Sequence, residues 1–128
     1  MTIKEKIFDY LKGMGLMPHY DDDQDILFNY MMASMIIVFD EKDEQYLQIL
    51  LPNIFSVDEN NRADVLEACN TTTRQMKVAK CFIPPHGNTV WTSAEQLINK
   101  DPELVKIIPR TLDILIGARM CFSNEINK

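Results

Sequence analysis

The chain has 128 residues, the length of one domain, and 46% of them are hydrophobic, enough for a real core. Its formal charge of -6, with thirteen Lys and Arg scattered along the chain, lacks the basic footprint that phosphate binding needs, so no nucleic-acid partner is expected. Cys69, Cys81 and Cys121 lie far apart with no CxxC pair, which suggests neither a disulfide framework nor a zinc site and points to a reducing, cytoplasmic compartment.

The first residues, Met1 to Lys6, mix charges where a signal peptide would be apolar, and no window reaches the roughly 18 apolar residues of a membrane span. Thr2 and Glu5 have the spacing of a capping box and predict a helix start. Ile3, Ile7, Phe8 and Leu11 then form one apolar stripe, and Gly13 and Gly15 end the helix. A membrane-surface helix would want a strongly basic polar face, which Glu5 and Asp9 dilute, so core packing is expected. Pro18 to Asp25 reads as a loop. His19 beside Asp21, Asp22 and Asp23 lacks the alternating ligands of a calcium loop, so no metal is expected there.

Three strands follow between Ile26 and Phe55: Ile26–Met31, Met35–Phe39 and Tyr46–Leu51, the last closed by Pro52. They join around Met32-Ala33-Ser34 and through the charged turn Asp40 to Glu44, giving an antiparallel meander. The middle strand does not alternate apolar with polar, so both of its faces must be dry, with helices on one side and a further helix or a second subunit on the other. Along the third strand Leu47, Ile49 and Leu51 share one face, while Tyr46, Gln48 and Leu50 share a mixed one that is open to a partner.

Ser56 and Glu59 repeat the capping-box spacing and predict a second helix running to Met76, with Leu66, Cys69, Thr73 and Met76 in its buried stripe. Asn70 adjoins that stripe, where an amide serves either to satisfy backbone or to contact a ligand. Val78–Ile83 and Thr89–Ala94 make two more strands across the turn Pro84 to Asn88. Asp101 caps the last helix and Pro102 enters its first turn, while Pro109 should kink or split it. Leu104, Ile108, Leu112, Leu115, Phe122 and Ile126 form one side, widened by Ile107, Ile114, Ile116 and Met120, which suits a helix that also touches a neighbouring subunit.

No glycine-rich phosphate loop occurs, and Glu95 and Asp113, the carboxylates nearest structured faces, have no acid partner placed by sequence. Cys81 and His86 share one hairpin, yet Cys81 points with Ala79 and Ile83 to an apolar face where a thiol is inert. Tyr30, Tyr46 and Trp91 make an aromatic platform if their faces coincide, either to stack a ligand or to seat a helix.

In this order the chain resembles the YbjN-like family, grouped as bacterial sensory transduction regulators with a type III secretion chaperone-like fold. The likeness is carried by the meander Phe28 to Leu51, the helix segment Leu66-Glu67-Ala68-Cys69-Asn70, the hairpin through Trp91, and the tail Leu112 to Ala118 with Phe122. It spans roughly 22–127, with Asn70 the most specific position; where relatives place a second amide, Thr73 and Arg74 stand here. The resemblance implies an α+β domain over 1–128, with a five-stranded antiparallel sheet in the order α-β-β-β-α-β-β-α. It also implies a homodimer that binds a protein partner or client and has no catalytic activity and no cofactor. Tyr30, Tyr46, Gln48, Asn70 and Trp91 are the candidate partner-binding residues. A small-molecule sensor with a pocket between the last helix and the sheet, or a cysteine- or histidine-dependent enzyme, is the alternative.

Overall fold

The computed structural model describes residues 1–128. Helix α1 (Ile3–Gly13) starts where Thr2 Oγ1 accepts the Glu5 N–H at 3.1 Å, and it buries Ile3, Ile7 and Leu11 along one stripe. Gly15, at φ 79°, closes it in a left-handed cap that lets the Leu16 N–H reach back to the Leu11 carbonyl.

The segment expected to be only a loop contains a short strand, β1 (His19–Tyr20), paired with β2 (Ile26–Tyr30), so the sheet has six strands rather than five. Two exposed residues give no periodicity from which to recognise a strand; tertiary contact makes it, for the Phe8 and Tyr20 rings stack at 4.6 Å across α1. The acidic run forms the turn: Asp21 Oδ1 accepts the backbone N–H groups of Asp23 and Asp25, both at 2.9 Å.

β2 turns into β3 (Ala33–Val38) through Met31 and Met32, both left-handed at φ 49° and 65°, so Ala33 and Ser34 belong to the strand and not to the turn. β4 (Tyr46–Ser56) does not stop at Pro52. Its pairing with the distant strand β6 breaks between Leu51 and Phe55, with Asn53 left-handed at φ 58°, and the proline is accommodated at that irregularity. Since β4 includes Ser56, the expected capping box does not form. Helix α2 (Arg62–Gln75) starts at Asn61 after a turn that Asp58 and Asn61 build from each other's side chains.

α2 is also rotated from its expected stripe. Val65, Ala68, Cys69 and Thr72 are buried, whereas Leu66 is 46% exposed. β5 (Ala79–Phe82) and β6 (Thr89–Leu97) form the second hairpin, with β6 three residues longer than expected. In the turn between them the Gly87 N–H bonds the Pro84 carbonyl at 2.9 Å, and a Cβ at Gly87 would sit 2.9 Å from that same oxygen.

Helix α3 (Leu104–Ile126) is continuous through Pro109. Proline there removes one ladder bond, but packing of Ile108, Leu112 and Leu115 holds the axis on the core. Asp101 does not cap it; Glu103 precedes the first turn without a side-chain bond, and Asp101 pairs with Lys6 at 3.4 Å.

The sheet order is β1-β2-β3-β4-β6-β5, antiparallel throughout. One apolar cluster joins α1 and α3 to β2, β3 and β4 through Ile7, Leu11, Ile37, Ile49 and Leu112; a second joins α2, β5, β6 and the end of α3 through Val65, Cys69, Cys81, Val90 and Phe122. All three helices therefore lie on one face of the sheet. No helix is long and apolar enough to cross a membrane.

Candidate functional site

Because side chains alternate along each strand, the register decides what the opposite, helix-free face carries. Ile36, Leu50, Ser93 and Lys80 form one row across β3, β4, β6 and β5, and Val38, Gln48 and Glu95 form the next. Leu50 is 8% exposed and Ser93 fully buried, although both lie on the face opposite the helices. Ile36 and Val38 are half-buried, and Leu97 at the end of β6 is 81% exposed.

Toward the β5 edge of this face Glu95, on β6, collects three donors. The Tyr46 hydroxyl donates to Oε1, Gln48 Nε2 donates to the same oxygen at 3.4 Å, and Lys80 Nζ pairs with Oε2 at 2.5 Å. Burial works to raise the Glu95 pKa, but the bonds from Lys80 and Tyr46 outweigh it and hold the carboxyl below its usual range. Burial first, and then the bond to Glu95, push the Tyr46 phenol up to about 12. The Ser93 hydroxyl lies beside the same carboxylate and helps keep it ionised, yet it makes no hydrogen bond of normal geometry. At neutral pH the cluster is a phenol, a carboxylate and an ammonium. A carboxylate so paired is a poor proton acceptor.

Of the residues singled out by sequence, Tyr46, Gln48 and Trp91 share this face. Trp91 stands opposite Phe82 of β5, and its Nε1 donates to Thr89 Oγ1 at 3.2 Å. Tyr30 does not join them. It packs with the core on the helix side and its hydroxyl donates to Asp113 Oδ1 at 2.6 Å, so the three-ring platform does not exist. Asn70 is exposed on α2, away from the sheet, and satisfies no buried backbone; the rotation of α2 carries it outward. Thr73 has the structural role expected of an amide there, its hydroxyl accepting the Cys81 N–H at 2.8 Å.

Lys80, Ser93 and Glu95 complete the cluster, and the sequence hides this because β6 pairs with β4 across some forty intervening residues. The alternation 91, 93, 95 places them on one face, but only the register sets them beside Tyr46 and Gln48. Cys81 Sγ lies against Cys69 Sγ, while His86 is exposed in its turn at φ 58°, so the hairpin does not bring the two together for nucleophilic chemistry. Asp21, Asp23 and Asp25 converge within 4.8 Å; one oxygen of Asp21 is taken by the Asp23 and Asp25 N–H groups, and Asp25 Oδ1 accepts the Phe39 N–H at 3.1 Å.

Three helices on one face of a six-stranded antiparallel sheet, with an ion-paired and half-buried opposite face, define an open-faced α+β domain. That architecture is the YbjN-like fold. The chain superposes on YbjN of E. coli, described as a candidate transcription regulator, with a TM-score of 0.69 over 90% of this chain and 87% of that one at 5% identity. An uncharacterized protein from Methanothermobacter thermautotrophicus matches with a TM-score of 0.60 over 96% of this chain and 98% of its own, at 14% identity. No family model and no curated protein matches the sequence.

Proposed function

We propose that the chain is a non-enzymatic regulatory domain of 1–128 that takes a protein partner, a client segment or a second copy of itself, on its helix-free sheet face. The observation that carries this is the composition of that face: Leu50 and Ser93 out of solvent, Ile36 and Val38 half-buried, and Tyr46, Gln48, Lys80 and Glu95 presenting paired polar groups beside them toward the β5 edge. Such a mixture suits a protein surface with an apolar core and satisfied polar groups. The face is favoured over a strand edge because both edges are blunt, β1 being two residues long and β5 four with Lys80 in its middle. The fold likeness to a protein described as a transcription regulator supports the regulatory part of this reading.

The test is light scattering over a wide concentration range on the wild type and on Ile36→Lys. A dimer that the substitution converts to a folded monomer supports the second copy. A wild type that is monomeric at every concentration, and whose hydrogen exchange on β3, β4 and β6 is unaffected by any captured partner, overturns the proposal.

A sensor reading has one observation in its favour. A cleft of about 340 Å³ between the start of α3 and the sheet is lined by Lys77, Lys106 and Arg110 together with Gln96 and Thr111, a set that suits a small anion. Thermal shift with inorganic phosphate and with small dicarboxylates checks it: stabilisation lost in Arg110→Ala supports an anion site, and no shift at millimolar anion removes it.

A further inference from the structure

Away from the open face, α2 and the outermost strand β5 bring two thiols together. Cys69 and Cys81 are 4% and 6% exposed, and the Cys81 thiol donates to Cys69 Sγ at 3.6 Å. Twelve residues separate them in sequence, and they are the point at which the last turns of α2 lie over β5. Thr73, one turn further along α2, pegs the same strand by accepting the Cys81 N–H and donating to the Cys81 carbonyl. β5 has a strand neighbour on one side only, so its attachment depends on β6 and on α2.

We propose that Cys69 and Cys81 are a redox modification site, a dithiol that a hydroperoxide converts to a disulfide, fastening α2 to the edge strand β5. Two buried cysteines in contact also pack well as small apolar groups. What sets this pair apart is that they face each other across two elements with sulfurs already in contact; bonding requires closing from 3.6 Å to about 2.05 Å.

The two thiols are not equivalent. The hydrogen bond from Cys81 holds the Cys69 thiol below its ordinary pKa although burial opposes this, while that same bond and burial push Cys81 up. Cys69 is therefore the attacking sulfur. Its thiolate attacks one oxygen of hydrogen peroxide; an S–O bond forms, the O–O bond breaks, and the departing oxygen leaves as water with the released proton. The Cys81 sulfur then attacks the Cys69 sulfenic sulfur; the S–S bond forms, the S–O bond breaks, and the hydroxyl leaves as a second water with the Cys81 proton. Two thiols lose two electrons together and the peroxide gains them.

Cys121 on α3 is an internal reference. It is less buried than the pair, and its thiol bonds Gln75 Oε1 at 3.4 Å. The experiment exposes the folded full chain to hydrogen peroxide, traps remaining thiols with an alkylating agent, and maps peptides by mass spectrometry. The expected result is a peptide cross-linked between Cys69 and Cys81, reversed by dithiothreitol, with slowed amide exchange in β5. Cys121→Ser, which leaves the pair intact, should form the bond at the wild-type rate. In Cys81→Ser a dimedone adduct should accumulate on Cys69, and in Cys69→Ser the rate of thiol loss at Cys81 should fall by at least about tenfold. Should either pair variant fail to fold, Cys121→Ser still decides. The proposal is overturned if peroxide that oxidises Cys121 leaves both Cys69 and Cys81 alkylatable, or if the cross-link that forms joins Cys121.

Discussion

Glu95 shows how much one residue's chemistry depends on neighbours supplied by other strands. Its pKa is held down, so the folded state releases this proton more readily than the unfolded chain does. The associated stability is present above the unfolded carboxyl's ordinary value and is lost as pH falls through the lowered folded value. Urea melts from about pH 3 to pH 7 should therefore show an acid limb that is shallower in Glu95→Gln. At neutral pH the same variant should lose about 0.5–1 kcal/mol, because Lys80 is half-exposed and the pair is screened.

Tyr46 moves in the opposite direction. Its raised pKa means that the folded state keeps the phenol proton more tightly, so the stability is complete below the unfolded tyrosine's value and declines as pH rises toward about 12. Tyr46→Phe should flatten the alkaline limb of a stability profile and cost about 1.5–3 kcal/mol at neutral pH, the usual range for a bond to a charged acceptor. Spectroscopic titration of the phenols in wild type and variant checks the assignment.

At the scale of elements, turns and helix ends decide where local preference gives way. The β2–β3 turn places Met31 and Met32 in left-handed conformations that glycine and asparagine adopt at lower cost, and both methionines are exposed. Replacing the pair by Asn-Gly should raise stability by about 0.5–1 kcal/mol in chemical melts, with no change in the sheet. Gly87→Ala should do the reverse and lower the melting temperature, since its Cβ meets the Pro84 carbonyl, which can move only with the turn. Pro109 illustrates the limit of such local rules. A proline in the second turn ought to break a helix standing alone, but α3 is anchored before and after it by buried Ile108, Thr111 and Leu112. The Thr111 hydroxyl, which donates to the Ile107 carbonyl at 2.7 Å and accepts from Gln96 at 2.8 Å, ties that stretch to β6.

For the whole molecule, the two faces of the sheet carry different kinds of energy. Leu112 is fully buried under the helices, and Leu112→Ala should cost about 2–5 kcal/mol of folding stability whatever the state of assembly. Ile36 is half-buried on the bare face, so Ile36→Ala should cost less than about 1.5 kcal/mol in a monomer while weakening any complex formed there. Denaturant melts at two protein concentrations separate the two effects, because only an assembly term depends on concentration.

The sequence by itself determined the element types and most of their order: α1 with its cap, the meander, the second hairpin and the long last helix all follow from local periodicity and capping. It also determined which residues of β4 share a face, because alternation along one strand needs no partner, and so Tyr46 and Gln48 could be paired before any register was known. What local rules miss is what two distant segments settle between them. β1 exists because Tyr20 stacks on Phe8; α2 turns outward at Asn70 and Leu66 because Val65, Cys69 and Thr72 fit β5 and α3 better; Tyr30 goes to the core while Trp91 does not. Above all, Lys80, Ser93 and Glu95 meet Tyr46 only through the pairing of β4 with β6 and β6 with β5. A strand's faces are set by covalent geometry, but its neighbours are chosen by burial summed over the whole fold, and the bare face with its ion-paired cluster belongs to that second level.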